Sequence, residues 1–154
     1  MAIHVRLATW DLTHVKARAV KDGKYSADEV DAVEVEYKKY LALCIAFPKQ
    51  AFPTPLKIDE MWHQHILFTQ DYAAMCEQVC GFFVHHQPLI EGEVADPTGK
   101  ARLHEAYRRE FGGDPGDYWA GCQGPSKGCT SCGPGTIKSA TTRTCTGKGC
   151  MNNG

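Results

Sequence analysis

The sequence predicts an all-α fold, a small bundle of about four helices followed by a Gly/Cys-rich, largely irregular C-terminal tail. Three observations carry this reading. Apolar residues recur at three- and four-residue spacing through several long stretches. Residues that start and stop helices bracket those stretches. No period-two alternation marks a strand, and Phe82-Phe83-Val84 is the one short extended candidate.

The elements follow in order. Asp11 caps a short helix over residues 12–21 that ends at Asp22-Gly23. Ser26-Ala27-Asp28-Glu29 fits a capping box, the Ser26 hydroxyl on the Glu29 amide and the Glu29 carboxylate reaching back. Behind it Val30, Val33, Tyr37, Tyr40, Leu41, Cys44 and Ile45 form an apolar face until Pro48 stops the helix. A proline-punctuated connector runs from Pro48 to Pro55. A long helix is then predicted from about Ile58 to Cys80, closed by Gly81 just past its C-terminus. Asp96-Pro97 reads as a cap and first-turn proline for a last helix, with Leu103, Tyr107 and Phe111 inward and Gly112-Gly113 ending it.

Composition divides the chain in two. Its 154 residues are 43% apolar and 23% charged, as in globular proteins. From Gly121 onward the charged side chains are Lys127, Lys138, Arg143 and Lys148, so the tail is basic and residues 1–120 are acidic. The tail holds five of the eight cysteines and a single branched aliphatic residue, Ile137. Such a segment cannot offset its own ordering entropy without a metal, disulfides or a partner. The expected division is a helical domain over 1–120 and a tail over 121–154. The net charge of −1 argues against nucleic-acid binding, above all for the helical domain. No apolar run approaches the ~20 residues of a membrane helix, and the first residues do not resemble a secretory signal. The expectation is a cytoplasmic protein with no membrane partner.

The informative stretch is IDEMWHQHILFTQDYAAMCEQVCGFFVHH, residues 58–86. On a helix, Met61, Trp62, His65, Phe68, Tyr72, Met75, Cys76 and Val79 share the apolar face, with His65 in its middle. His63 lies about 160° around from His65, so the two imidazoles cannot point at one ion. Asp59 and His63, four apart, share a face, as do Cys76 and Cys80. This stretch resembles the glycine-rich domain-containing protein-like family, whose short bacterial members are related to the N-terminal domain of plant glycine-rich domain proteins. The matching positions are Asp59, Trp62, His63, His65, Ile66, Leu67, Tyr72, Cys76, Gly81, Phe83, His85, His86 and Pro88. Weaker similarity covers residues 12–113, and the pattern is left after Pro88, at Leu89-Ile90-Glu91-Gly92. The resemblance implies a fold and carries no established activity.

Imidazole and thiolate are the ligands that zinc and related transition metals favour. His63, His65, His85, His86, Asp59, Cys76 and Cys80 are the candidate ligands, with Asp59 either a ligand or the acceptor that fixes the His63 tautomer. Two other readings stand beside this one: structural histidines bonded to backbone carbonyls, and a metal-free His63–Asp59 acid–base dyad. On an unbroken helix His63 stands about 25 Å from Cys80, so direct coordination joining His63 to His86 is expected to be strained. The nearer sets are Cys76, Cys80, His85 and His86, or His63 and His65 with His14 or His104 from another helix.

In the tail, Cys129, Cys132, Cys145 and Cys150 are spaced C-x2-C-x12-C-x4-C, with Cys122 upstream. Such spacing suits zinc. Disulfides, disorder, or a docking or enzymatically modified segment are the alternatives. The leading functional expectation is a small cytoplasmic His/Cys metal-binding protein that holds zinc or another transition metal and performs no turnover. The alternatives are an interaction adaptor whose tail meets a protein partner, and a metal-dependent enzyme.

Overall fold

The computed structural model describes residues 5–87, 96–123 and 129–131. Helices dominate them. α1 spans Val5–Ala8, α2 Thr13–Lys21, α3 Val30–Ala46, α4 Leu56–Leu67, α5 Thr69–Met75 and α6 Gly99–Phe111. A π-helical turn, Cys76–Cys80, continues α5, and a 3-10 turn, Asp117–Trp119, follows α6. The fold is therefore mostly helical, as the periodicity predicts, with a few short strands.

Start and stop signals act where expected. The Thr13 N–H donates to Asp11 Oδ1 at 2.8 Å, and α2 closes before Gly23 at φ 68°. Ser26 Oγ accepts the Glu29 N–H at 3.2 Å, half of the capping box. The Glu29 carboxylate turns instead to Lys57 Nζ, 2.6 Å away, and so ties α3 to α4. Asp96 Oδ1 accepts the N–H of Thr98 at 2.8 Å, just ahead of α6.

The core lies between α3 and α4, with α2 on one side and the 3-10 turn on the other. Tyr40, Trp62 and Trp119 are fully buried there. The ring of Tyr40 sits 5.5 Å from Trp62 and 6.2 Å from Trp119, centroid to centroid. Lys38 is buried as well. Its ammonium donates to the carbonyls of Ala8 and Trp10 and to Glu34 at 2.6–3.1 Å, which uses all three of its hydrogens.

One predicted element is two. The helix expected over residues 58–80 breaks at Phe68, where ψ of 67° leaves the helical region. Neither proline nor glycine stands there. Contacts across the break replace the lost helical turn: the Trp62 indole N–H donates to Tyr72 Oη at 2.9 Å, and His65 Nε2 lies 2.9 Å from Asp71 Oδ2. Both residues on the far side belong to α5, so they hold it against α4.

Two strand pairs complete the body. β1, Thr54–Pro55, pairs antiparallel with β3, Cys122–Gln123, and β2, Val84–His86, pairs antiparallel with β4, Cys129–Ser131. The Leu56 N–H donates to Gly121 O and Lys100 Nζ to Ala120 O, each at 2.6 Å. Backbone pairing with the helical body thus continues past Ala120, where composition alone sets the boundary. Backbone hydrogen bonding needs no apolar side chain, so a Gly-rich segment can supply it. The loop after Pro88 and the tail positions Cys132, Cys145 and Cys150 lie outside the described residues.

Candidate metal centre

The centre is assembled by α4 and β2. Ile58, Met61, Trp62 and His65 turn inward from α4 and are fully buried. Asp59 and His63, one turn apart, are left on the adjoining face. β2 is brought alongside by a chain of hydrogen bonds. Trp62 donates to Tyr72 Oη, and the Tyr72 hydroxyl donates in turn to the carbonyl of Val84. Two residues further along the strand, on the same side, is His86.

His86 Nε2 then stands 2.7 Å from Asp59 Oδ1, and His63 Nε2 stands 3.5 Å from Asp59 Oδ2. Each carboxylate oxygen faces one imidazole. The two imidazole centroids are 4.5 Å apart, and the three ligand atoms lie within 4.8 Å of one another. Side-chain exposure is 8% for His86, 13% for Asp59 and 43% for His63, so the group is walled on one side and open on the other. Trp62 forms the wall, its ring edge-on to His86.

Two histidines and one carboxylate make up a set that binds zinc or iron(II) and leaves positions open. Bonds of about 2.1 Å to a common tetrahedral ion would put ligand atoms about 3.4 Å apart. The His63–Asp59 spacing of 3.5 Å already matches this. The His86–Asp59 contact of 2.7 Å is a hydrogen bond and must open by several tenths of an ångström. Small rotations about the side-chain torsions of Asp59 and His86 supply an adjustment of that size.

The expected strain between His63 and His86 is thus corrected. It assumed one straight helix from Ile58 to Cys80. The break at Phe68 turns the chain back, and β2 runs beside the first half of the predicted helix. Among the described residues the other sets do not bring three ligand atoms together as the Asp59 group does, although His14 and His65 both approach Asp71. Cys76 and Cys80 lie buried at the end of α5, with Cys80 Sγ 3.6 Å from Met75 Sδ, and neither belongs to the Asp59 group. His85 faces away from that group, because neighbouring strand residues alternate sides, and its ring lies 4.9 Å from Phe83. His104 Nε2 meets the carbonyl of Trp119 at 3.1 Å. Among the tail cysteines, Cys129 stands opposite His86 in the β2–β4 register and Cys122 opposite Pro55.

His65 belongs to a second network. It is fully buried, with Nδ1 2.9 Å from Tyr37 Oη and Nε2 2.9 Å from Asp71 Oδ2. Its partners are side chains and not the backbone carbonyls that a structural histidine was expected to use. Burial pushes its imidazole down to about 4, and the Asp71 carboxylate only partly offsets this. A neutral ring with its hydrogen on Nε2 toward Asp71 accepts the Tyr37 hydroxyl hydrogen at Nδ1. Asp71 Oδ2 also receives the Trp10 indole N–H at 3.4 Å and lies 3.3 Å from His14 Nε2. Sequence reasoning passed over Asp71, since an acid on a helix surface is ordinarily just solvated. Its signal was its position six residues after a buried histidine.

No curated protein and no solved structure matches the chain. A family model, that of the UCP032817-like proteins, matches residues 3–109, which span every residue of the Asp59 centre and of the Asp71 network. The chain belongs to the UCP032817-like family.

Proposed function

We propose that the protein holds one divalent transition metal, zinc or iron(II) in class, on Asp59, His63 and His86, and that it binds this ion without turnover. The observation that carries the reading is the shared carboxylate, with each oxygen facing a different imidazole from a different element. A surface Asp–His pair forms by chance on many helices. A second histidine delivered to the same carboxylate by a strand, through the Trp62–Tyr72–Val84 relay, is a built arrangement. The reading takes the protein as cytoplasmic; among the described residues no helix is long and apolar enough to cross a membrane.

Elemental analysis of protein purified without an affinity tag tests the proposal. Wild type should carry about one more metal ion per chain than the His63→Ala/His86→Ala variant, whose tail cysteines are intact. Cobalt(II) added to metal-free protein should give visible d–d bands that the variant lacks. Equal metal content and no bands would remove the Asp59 centre from the account.

Two observations favour other readings. Among the described residues three ligands converge and His63 is 43% exposed, which leaves room for a water or substrate and supports a metal-dependent enzyme. The 2.7 Å Asp59–His86 contact satisfies both groups without an ion, which supports an adaptor with structural histidines and a docking tail. A metal-free wild type would select the adaptor. We also infer that the family is related to the glycine-rich domain-containing proteins, on the Trp62-His63-Gln64-His65 and His85-His86-Gln87-Pro88 motifs.

A further inference from the structure

Three sulfur atoms meet at the end of α5, away from the Asp59 centre. Met75 is the last residue of α5, and Cys76 and Cys80 bound the π-helical turn that follows. Their exposures are 0%, 1% and 8%. Cys80 Sγ lies 3.6 Å from Met75 Sδ. The Cys80 thiol also hydrogen-bonds to Cys76, and the Val84 N–H points at the same Cys76 sulfur. Both cysteines are free thiols.

What can such a group do? A disulfide is the first candidate, and geometry disfavours it. Residues four apart on a helix hold their Cβ atoms ~5–6 Å apart. A disulfide needs about 3.5–4.5 Å. Oxidation would have to draw in a turn packed inside a dense core. An ion set between the sulfurs asks for much less. With metal–sulfur bonds of about 2.3 Å, the sulfurs of a trigonal site stand about 4 Å apart. The observed 3.6 Å Sγ–Sδ spacing is within a few tenths of that.

The ligand types then select the ion. Thioether and thiolate are soft donors, which favour copper(I) over harder divalent ions. We infer that Met75, Cys76 and Cys80 form a buried all-sulfur site for a soft monovalent cation of the copper(I) class. On binding, Cys76 and Cys80 each release a proton to solvent, and their two thiolates take the ion together with the Met75 thioether as a trigonal set. The ion enters through the last turn, where Val79 and Cys80 retain slight exposure beside Gly81.

The site is tested on the full chain with silver(I), a redox-inert soft monovalent ion. The protein is labelled with 13C at its methionine methyl groups, of which there are four: Met1, Met61, Met75 and Met151. Silver(I) in excess over all eight cysteines should move the Met75 methyl signal, identified by its loss in Met75→Leu, and leave that of Met61 in place. In a parallel anaerobic competition against a chromophoric copper(I) chelator, wild type should retain one more copper(I) than Cys76→Ser/Cys80→Ser. Should that variant not fold, the methyl spectrum of wild type decides alone. An unmoved Met75 methyl overturns the site. So do equal copper counts with a folded variant. A Cys76–Cys80 disulfide formed on mild oxidation, with the Met75 signal indifferent to silver, would assign the pair to redox chemistry instead and likewise overturn it.

Discussion

Trp62 stands edge-on to His86, ring centroids 4.4 Å apart, while its indole N–H is given to Tyr72 2.9 Å away. One side chain therefore supports a candidate ligand and also anchors the hydroxyl that holds the strand bearing it. Trp62→Phe keeps an aromatic wall and loses the hydrogen bond. It should cost about 1–3 kcal/mol in denaturant unfolding, through the smaller ring and the unpaired Tyr72 hydroxyl. It should also weaken cobalt(II) binding about tenfold, as loss of an outer supporting contact does. Lost stability with unchanged cobalt(II) affinity would detach Trp62 from the centre.

Asp59→Asn preserves shape and removes the charge. Metal affinity should fall by more than about 100-fold, since the one anionic ligand is gone. Circular dichroism should show an unchanged fold, because the amide oxygen can still accept from His86. An affinity within threefold of wild type would show that the ion, where bound, uses other ligands.

His65→Ala should destabilise the protein by roughly 2–4 kcal/mol, as it empties a fully buried site and leaves the buried Tyr37 hydroxyl without its acceptor. Tyr37→Phe removes one bond of the same network and should cost about 1 kcal/mol. Thermal midpoints of the two variants, measured beside wild type, check the ranking. The double variant should cost less than the sum, because both substitutions cut one contact.

The same network sets a pH dependence. His65 titrates at about 4 in the folded protein against an ordinary 6.5. Between those values the unfolded chain binds a proton that the folded protein refuses, so stability falls as the pH drops through that window and is full above 6.5. The whole effect is about 3 kcal/mol. His65→Gln, although less stable at neutral pH, should show a flatter stability profile between pH 6.5 and 4.5 in urea titrations. Parallel profiles for wild type and variant would place the acid sensitivity elsewhere.

Much of the fold is legible in the residues. Asp11, Ser26, Pro48, Gly23 and Gly112 mark helix ends by local chemistry, and the helices start or stop within a few positions of each. The Asp59–His63 pair is legible for the same reason, since helical spacing alone puts the two on one face. The break at Phe68 is not legible. The apolar period runs through it undisturbed, and what makes it is tertiary: Trp62 with Tyr72, and His65 with Asp71. The separation of β2 from α4 depends on that turn, which is why an unbroken helix sets His86, the third member of the centre, too far away. β3 and β4 escape notice because strands of two and three residues are too short to show an apolar alternation.

Truncation offers a direct check on where the folded body ends. A chain stopped after Ala120 lacks β3 and β4, which removes the partners of Thr54–Pro55 and of Val84–His86. It should still unfold cooperatively, since the core residues lie within 1–120, but with a lower thermal midpoint and weaker cobalt(II) binding. A chain stopped after Ser131 keeps both pairs and should match wild type in both measurements. Identical behaviour of the two truncations would make the strand pairs dispensable.

The paired histidines of β2 also bear on how the centre tolerates insertions and deletions. Because strand residues alternate sides, a one-residue slip of β2 along β4 exchanges the inward and outward sets. In most strands that would put an unrelated side chain at the site. Here the residue that slides into the position of His86 is His85, and Phe83 slides into the buried position of Val84. Imidazole replaces imidazole, and one apolar residue replaces another. The doublet therefore lets the connection between the π-helical turn and β2 gain a single residue without losing a ligand.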